Sequence, residues 1–298
     1  MTSSPPVKSS DAKPKAKGFD WPNLRLRLLS AAVLVPVALG CVWAGGWAYL
    51  ILLAVAIALL ASEWAKMCSP EVVSRSGALI AACVLAALLL AFNSRVSVGW
   101  AALVVAALLA ALAARIAGWS PRSPDVGFGV VYLGAPTLAL WWLRLSLDGV
   151  SSPSGPNDGF WWTALLLVST WAADIFAFLG GSVLKGPKLW PRISPNKTWS
   201  GFICGLLASS LAAVALWFWL WKGLELSAPA AAAVGLAAGV ATMGGDLLES
   251  MLKRRFGVKD SGDLIPGHGG LLDRVDGLMS AALVVAGARL LVQAGWLR

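Results

Sequence analysis

The sequence predicts an all-α, polytopic integral membrane protein with about nine transmembrane helices and a cytoplasmic amino terminus. Hydrophobic residues fill 58% of the 298 positions and charged residues 13%, with a mean hydropathy of +0.74. A soluble domain has roughly 45–50% apolar and about 25% charged residues. The apolar residues gather into runs near the ~20 residues that cross about 30 Å of hydrocarbon at 1.5 Å per residue. The lysines and arginines collect in alternate connections, the pattern that orients a polytopic chain.

Residues 1–24, rich in Pro, Ser and Lys, predict a disordered basic tail on the cytoplasmic side. The apolar runs fall at about 27–44, 47–66, 76–93, 98–117, 127–145, 159–181, 200–221, 229–252 and 277–296. The first two are joined only by Gly45-Gly46, so they form either a tight hairpin or a pair in which one run is re-entrant. The first run lacks a small-x-small cleavage site and reads as an uncleaved span, not a signal peptide. Runs within 25–158 make an amino-terminal transmembrane region, and 159–298 carries the chemistry.

With the amino terminus inside, 19 of the 24 Lys and Arg residues fall on the cytoplasmic side, four fall outside, and Arg289 lies within the last span. The connections 182–199 and 253–276 then both face the cytoplasm, which for a bacterial chain means the inner membrane. The net charge of +9 and pI near 9.7 need no nucleic acid to explain them, because the cations sit in short loops between spans. Cys41, Cys68, Cys83 and Cys204 are scattered, without a CxxC pair, and read as small core residues. Pairs such as Trp141-Trp142 and Trp161-Trp162 near run ends suit interfacial belts.

In the carboxyl-terminal half, three acids interrupt or end apolar runs: Asp174, Asp246 and Glu249. At such depth an ionisable group costs at least ~2.5–3.5 kcal/mol and faces a cavity or a partner. Asp246, Glu249, Ser250 and Lys253 have the spacing i, i+3, i+4, i+7 and share one helix face. A plainer reading of Glu249 and Lys253 is an ordinary helical ion pair.

That face leads into residues 250–276, which hold His268, the single histidine, with Lys253, Arg254, Arg255, Lys259, Arg274, Asp260, Asp263, Asp273 and Asp276. Such a mixture suits a polyphosphate and its metal ions. Pro266-Gly267-His268-Gly269-Gly270 lets backbone N–H groups converge on an anion, or is simply a flexible turn. Asp273 and Asp276 present oxygen ligands of the kind Mg²⁺ takes when it bridges phosphates. In 182–199, Pro191, Pro195 and the Ser194, Lys197, Thr198 cluster place cations and donors together on the same side.

The run Ser250-x-x-Lys253-Arg254-x4-Lys259-Asp260-x4-Ile265-Pro266-Gly267-His268-Gly269-Gly270-x-x-Asp273-Arg274-x-Asp276 resembles the signature of the phosphatidate cytidylyltransferases, or CDP-diacylglycerol synthases. Asp174 and Ser194-Pro195-x-Lys197-Thr198 resemble a second region of that family, and Glu63 resembles an acid found near the end of its second span. Ser182, Ile175 and Ser200 depart from its pattern.

The resemblance implies CTP and phosphatidate from the bilayer as substrates, CDP-diacylglycerol and pyrophosphate as products, and Mg²⁺ with a second cation as cofactors. Under it the metal ligands are Asp246, Asp273 and Asp276, with Glu249 and Asp174 beside them. Lys253, His268 and Arg274 join the catalytic set, and Lys197, Ser194, Thr198, Ser250, Arg254, Lys259, Gly269 and Gly270 bind substrate. A homodimer is compatible with it. Two other readings share the composition: a CTP-dependent transferase or kinase for another lipid, and an ion-coupled transporter with intramembrane acids.

Overall fold

The computed structural model describes residues 21–119, 123–146, 157–191, 193–220, 226–262, 264 and 269–297. The expected tail up to residue 20, and His268 with its neighbours 265–267, lie outside the described residues. Nine α-helices run through the described residues: α1 (Trp21–Ala44), α2 (Gly46–Cys68), α3 (Val73–Asn93), α4 (Val96–Ile116), α5 (Ser123–Arg144), α6 (Asp158–Leu184), α7 (Trp199–Leu220), α8 (Ala228–Phe256) and α9 (Leu272–Gln293). Eight of them, α2 to α9, are long and apolar enough to cross a membrane; in α1 the apolar stretch Ala32–Ala44 is shorter. The chain is an all-α polytopic membrane protein.

Local chemistry sets several helix ends. Asn157 caps α6 by accepting the Phe160 N–H at 2.8 Å, and Ser227 caps α8 through Ala230 N at 3.4 Å. Helix α8 stops at Gly257, whose φ of 78° closes the last turn and lets Val258 N–H reach the Lys253 carbonyl. Gly45, with φ of 65°, makes the sharp junction between α1 and α2.

Helix α5 lies at the centre. It contributes Val126, Val130, Leu133, Leu138 and Trp141 to a core with α2, α3 and α4, and Ala139 and Leu143 to a second core with α6 to α9. Gly127 lies against the Ala107 carbonyl of α4 and Gly129 against the Trp64 ring of α2, where a Cβ would collide. The four cysteines are free, with Cys68 buried and the others half-buried. Trp141 and Trp162 are core residues, 2% and 3% exposed, and not members of an interfacial belt. Trp142 and Trp161, one helical step of about 100° away, are half-buried against the same core.

Two arginines are buried at the end of the bundle away from the charged loops. Arg144 donates from Nε to the Val42 carbonyl at 2.6 Å and from Nη2 to Trp43 at 3.0 Å, satisfying carbonyls at the end of α1. Arg289, 1% exposed, donates from Nη1 to the carbonyls of Trp142 and Leu143 at 2.8 and 2.9 Å. Its Nη2 reaches the Leu145 carbonyl at 2.8 Å and Asp158 at 3.1 Å. It therefore caps the carboxyl end of α5 from α9.

Several boundaries differ from the hydropathy expectation, and those at the charged end bear on the chemistry. Helix α8 runs to Phe256 and α9 starts at Leu272, so Asp273 and Asp276 stand on the first turns of a helix and not in the loop before it. Polar residues lower the hydropathy of those turns without disturbing their backbone bonds. Residues 188–198 form an antiparallel hairpin, β1 (Lys188–Trp190) with β2 (Ser194–Thr198), where a plain loop was expected.

Replacing Arg289 with leucine leaves Asp158 and three carbonyls without their donor in a buried place. Thermal unfolding in detergent should show a loss of about 3–5 kcal/mol, the cost of breaking a buried charged pair from one side. An unchanged melting temperature would contradict the capping role.

Candidate active site

The charged end of the bundle is assembled from α8 and α9 outward. Gly245 on α8 and Gly277 on α9 make the approach close: a Cβ at Gly245 would stand 2.6 Å from the Asp276 carbonyl, and one at Gly277 2.8 Å from Thr242 Cγ2 and 3.0 Å from Asp246 Oδ1. Neither position has room for a side chain. The backbones touch, and the acids on both helices converge.

The face Asp246, Glu249, Ser250, Lys253 turns inward as its spacing predicts, with Glu249 buried and the other three half-buried. Lys253 Nζ bonds Glu249 Oε2 at 2.9 Å, one turn away, and also Asp273 Oδ1 on α9 at 2.5 Å. The ordinary helical ion pair is present, but it is only half of what Lys253 does. Ser261 completes the hold on Asp273: its backbone N–H and its hydroxyl both donate to Oδ2, at 3.1 and 3.0 Å. Asp276, 8% exposed, accepts from Gly277 N–H at 2.8 Å and lies close enough to Glu249 to interact with it.

The hairpin delivers the second cation. Lys197, on β2, bonds Asp246 Oδ2 at 2.8 Å across 49 positions of sequence. Asp174 of α6 faces the same space. A cleft of about 780 Å³ opens there between α6, α7, α8 and the hairpin, lined by Asp174, Lys185, Lys188, Lys197 and Asp246 and by the apolar Phe178, Phe202 and Met243. Its surroundings are basic towards the hairpin, acidic at Asp174 of α6 and Asp246 of α8, and apolar along Phe178, Phe202 and Met243.

Of the sequence-predicted residues, the structure brings together Asp174, Lys197 and Asp246 around the cleft, and Glu249, Lys253, Asp273 and Asp276 behind it. Arg254, Lys259 and Arg274 are exposed and do not line the cleft, and Arg254 donates to the Val258 carbonyl at 3.4 Å. Ser250 is half-buried on the shared α8 face, and Ser194 is half-buried at the start of β2. Thr198 also lines the cleft, but its hydroxyl accepts Gly201 N–H at 3.2 Å and so caps α7. Gly269 takes a φ of 84°, and Gly270 is buried against Ser261.

Sequence reasoning missed Ser261, Phe178 and Phe202 as parts of this region. Ser261 lies beside predicted residues but has no spacing that marks it. The two phenylalanines look like any other lipid-facing aromatics.

Among the described residues, no group of three or more His, Cys, Asp or Glu side chains closes around one point as a metal centre. The ammonium groups of Lys197 and Lys253 stand between the acids. The donor set nevertheless fits a hard divalent cation: Asp246, Glu249, Asp273 and Asp276 outnumber the two lysines and offer only oxygen. Glu249 Oε1 is buried and has no hydrogen-bond partner. A buried carboxylate oxygen in that state would suit a cation.

Lys253→Met removes a cation bonded to two acids, the buried Glu249 and the half-buried Asp273. It should lower stability by about 3–5 kcal/mol, measured by chemical or thermal unfolding in detergent. Lys197→Met should cost far less, because that pair is more exposed. Equal losses in the two variants would refute the ranking.

A protein-family model described as "Cytidylyltransferase family" matches residues 25–291. Phosphatidate cytidylyltransferase of Brucella abortus is 34% identical over 278 residues, covering 88% of this chain and 92% of that protein. The phosphatidate cytidylyltransferase of Pseudomonas aeruginosa is 34% identical over 287 residues, 92% of this chain and 98% of its own. That of Synechocystis is 41% identical over 168 residues, covering 50% of this chain and 56% of its own. The chain therefore belongs to the cytidylyltransferase family, as a membrane-embedded nucleotidyltransferase.

Proposed function

We propose that this protein transfers the cytidylyl group of CTP to phosphatidate, forming CDP-diacylglycerol and releasing pyrophosphate, with Mg²⁺ and with its active site facing the cytoplasm from a bacterial inner membrane. The observation that carries the reading is the junction of opposite surfaces in one cleft, where Lys185, Lys188 and Lys197 stand near Asp246 and Asp174 beside an apolar wall of Phe178, Phe202 and Met243. A lipid phosphate needs both an apolar wall and cations. The names of the full-length relatives point to the same substrates.

In this reaction an oxygen of the lipid phosphate attacks the α-phosphorus of CTP, and the bond from that phosphorus to the β-bridging oxygen breaks. Pyrophosphate leaves with the electron pair. A phosphate monoester with a second pKa of about 6 is already ionised at neutral pH, so the attacking group needs no base. Catalysis then comes from positioning and charge neutralisation.

Asp246, Asp273 and Asp276 would hold Mg²⁺, with Glu249 and Asp174 adjacent. When bound, the ion supplies charge neutralisation on the phosphate oxygens. Lys253 bridges Glu249 and Asp273, Lys197 pairs with Asp246, and both ammonium groups would turn towards phosphate oxygens. Arg254, Lys259 and Arg274 would bind the triphosphate. His268 donates a hydrogen bond to a CTP or pyrophosphate oxygen. The acyl chains stay in the bilayer and reach the cleft along its apolar side.

Detergent-solubilised protein given CTP, Mg²⁺ and phosphatidate should release pyrophosphate. Release without a sealed membrane excludes a pure transporter, and exchange of the nucleotide and lipid acceptor separates this reaction from that of a lipid kinase. Asp246→Asn and Asp273→Asn should each lower kcat by on the order of 10²-fold or more in folded protein. Full activity in either would refute the ligand assignment. His268→Gln should keep most turnover and His268→Ala should lose it; recovery of the alanine variant at raised pH would point to a base instead.

A further inference from the structure

Glu63 is fully buried near the end of α2, in the amino-terminal half of the chain, and the proposed chemistry does not use it. A carboxylate in that position is costly unless donors surround it. Here they do. Oε1 accepts the Leu271 N–H at 2.9 Å and Oε2 accepts the Leu272 N–H at 2.7 Å, two amides that open α9. A negative group there also faces the positive end of the helix.

The turn around Glu63 is built to receive it. A Cβ on Gly262 would stand 3.1 Å from Glu63 Oε1, and a Cβ on Gly270 would collide with the Ser261 hydroxyl. The amides leading from the glycine-rich stretch into α9 therefore converge on an anion, and that anion is a side chain of this protein. The Ser261 hydroxyl lies 3.5 Å from Glu63 Oε2 and 3.0 Å from Asp273 Oδ2. The Ser261 N–H donates to the same Asp273 oxygen, while Lys253 holds the other one. Both oxygens of Asp273 thus depend on neighbours, and one neighbour is seated against Glu63.

We infer that Glu63 is a positioning residue for cytidylyl transfer: it seats the first turn of α9 and the Ser261 hydroxyl, and so fixes the direction in which Asp273 points. This rests on the proposed function. Glu63 touches no substrate. It acts through α9 and Ser261, so its loss changes the reacting centre without altering the apolar cleft, which α6, α7, α8 and the hairpin form.

The test compares Glu63→Gln, Ser261→Ala and the double variant in detergent. Glu63→Gln keeps the shape but turns one acceptor towards a backbone N–H as a donor. It should lower kcat for pyrophosphate release by about 10- to 100-fold, as loss of a residue supporting a ligand does. KM for phosphatidate should stay unchanged. Ser261→Ala should lower kcat roughly fivefold, the worth of about one hydrogen bond. The double variant should be no slower than Glu63→Gln alone, because both act along one path. Hydrogen–deuterium exchange should also quicken at residues 271–276 in Glu63→Gln.

A purely structural role predicts lower melting temperatures with wild-type kcat per folded molecule, and that result overturns the inference. So does full additivity of the two substitutions. Should Glu63→Gln fail to fold, Ser261→Ala decides alone: a kcat loss at constant KM supports the inference, and wild-type kcat overturns it. If the wild-type protein does not turn over CTP with phosphatidate, the proposed function fails separately. The exchange measurement then still reads whether Glu63 holds α9, and unchanged exchange overturns that coupling.

Discussion

The polar end of this bundle depends on one ammonium group. Lys253 is bonded to an acid on its own helix and to one on the next, so it offsets the repulsion that would otherwise part α8 from α9. The glycine contact between Gly245 and Gly277 brings the two backbones together, but it brings their carboxylates together as well. Close packing and charge balance are therefore one problem here. Lys253 answers it at the base of the site and Lys197 at its mouth.

The arrangement crowds carboxyl groups in a place poor in water. Four acids face two lysines, and one oxygen of Glu249 has no donor at all. A soluble structural ion pair is normally balanced and satisfied. An unbalanced set at a bilayer surface is expensive to keep, and such expense is usual where anions or cations are handled in turn.

Much of the fold was legible in the sequence because bilayer thickness imposes a length on apolar runs, and nine runs became nine helices among the described residues. The method failed where chemistry replaced hydropathy. The first turns of α9 carry Asp273, Arg274 and Asp276 and so looked like loop, although backbone bonds do not depend on side-chain polarity. The hairpin was hidden because its cross-strand bonds join backbone groups in a segment with two prolines. Within the site, the shared face of Asp246, Glu249, Ser250 and Lys253 followed from helical periodicity alone. The partners that give it meaning, Lys197 from the hairpin and Asp273 from α9, could not follow from it, since pairing over long sequence distance leaves no local signature. Family resemblance pointed to Glu63, but only the coordinates show what its carboxylate holds.

The buried arginines alter how the charge bias of the chain should be understood. Counting cations treats Arg144 as a charge on the far surface, yet its guanidinium is consumed in satisfying the end of α1, and Arg289 is likewise spent on the end of α5. Among the described residues, Arg95 is the exposed cation at that end. At the opposite end, Lys185, Lys188, Arg254, Lys259 and Arg274 are exposed. The exposed cations among the described residues are thus gathered largely at one end, and an acidic lipid diffusing in the membrane would linger there.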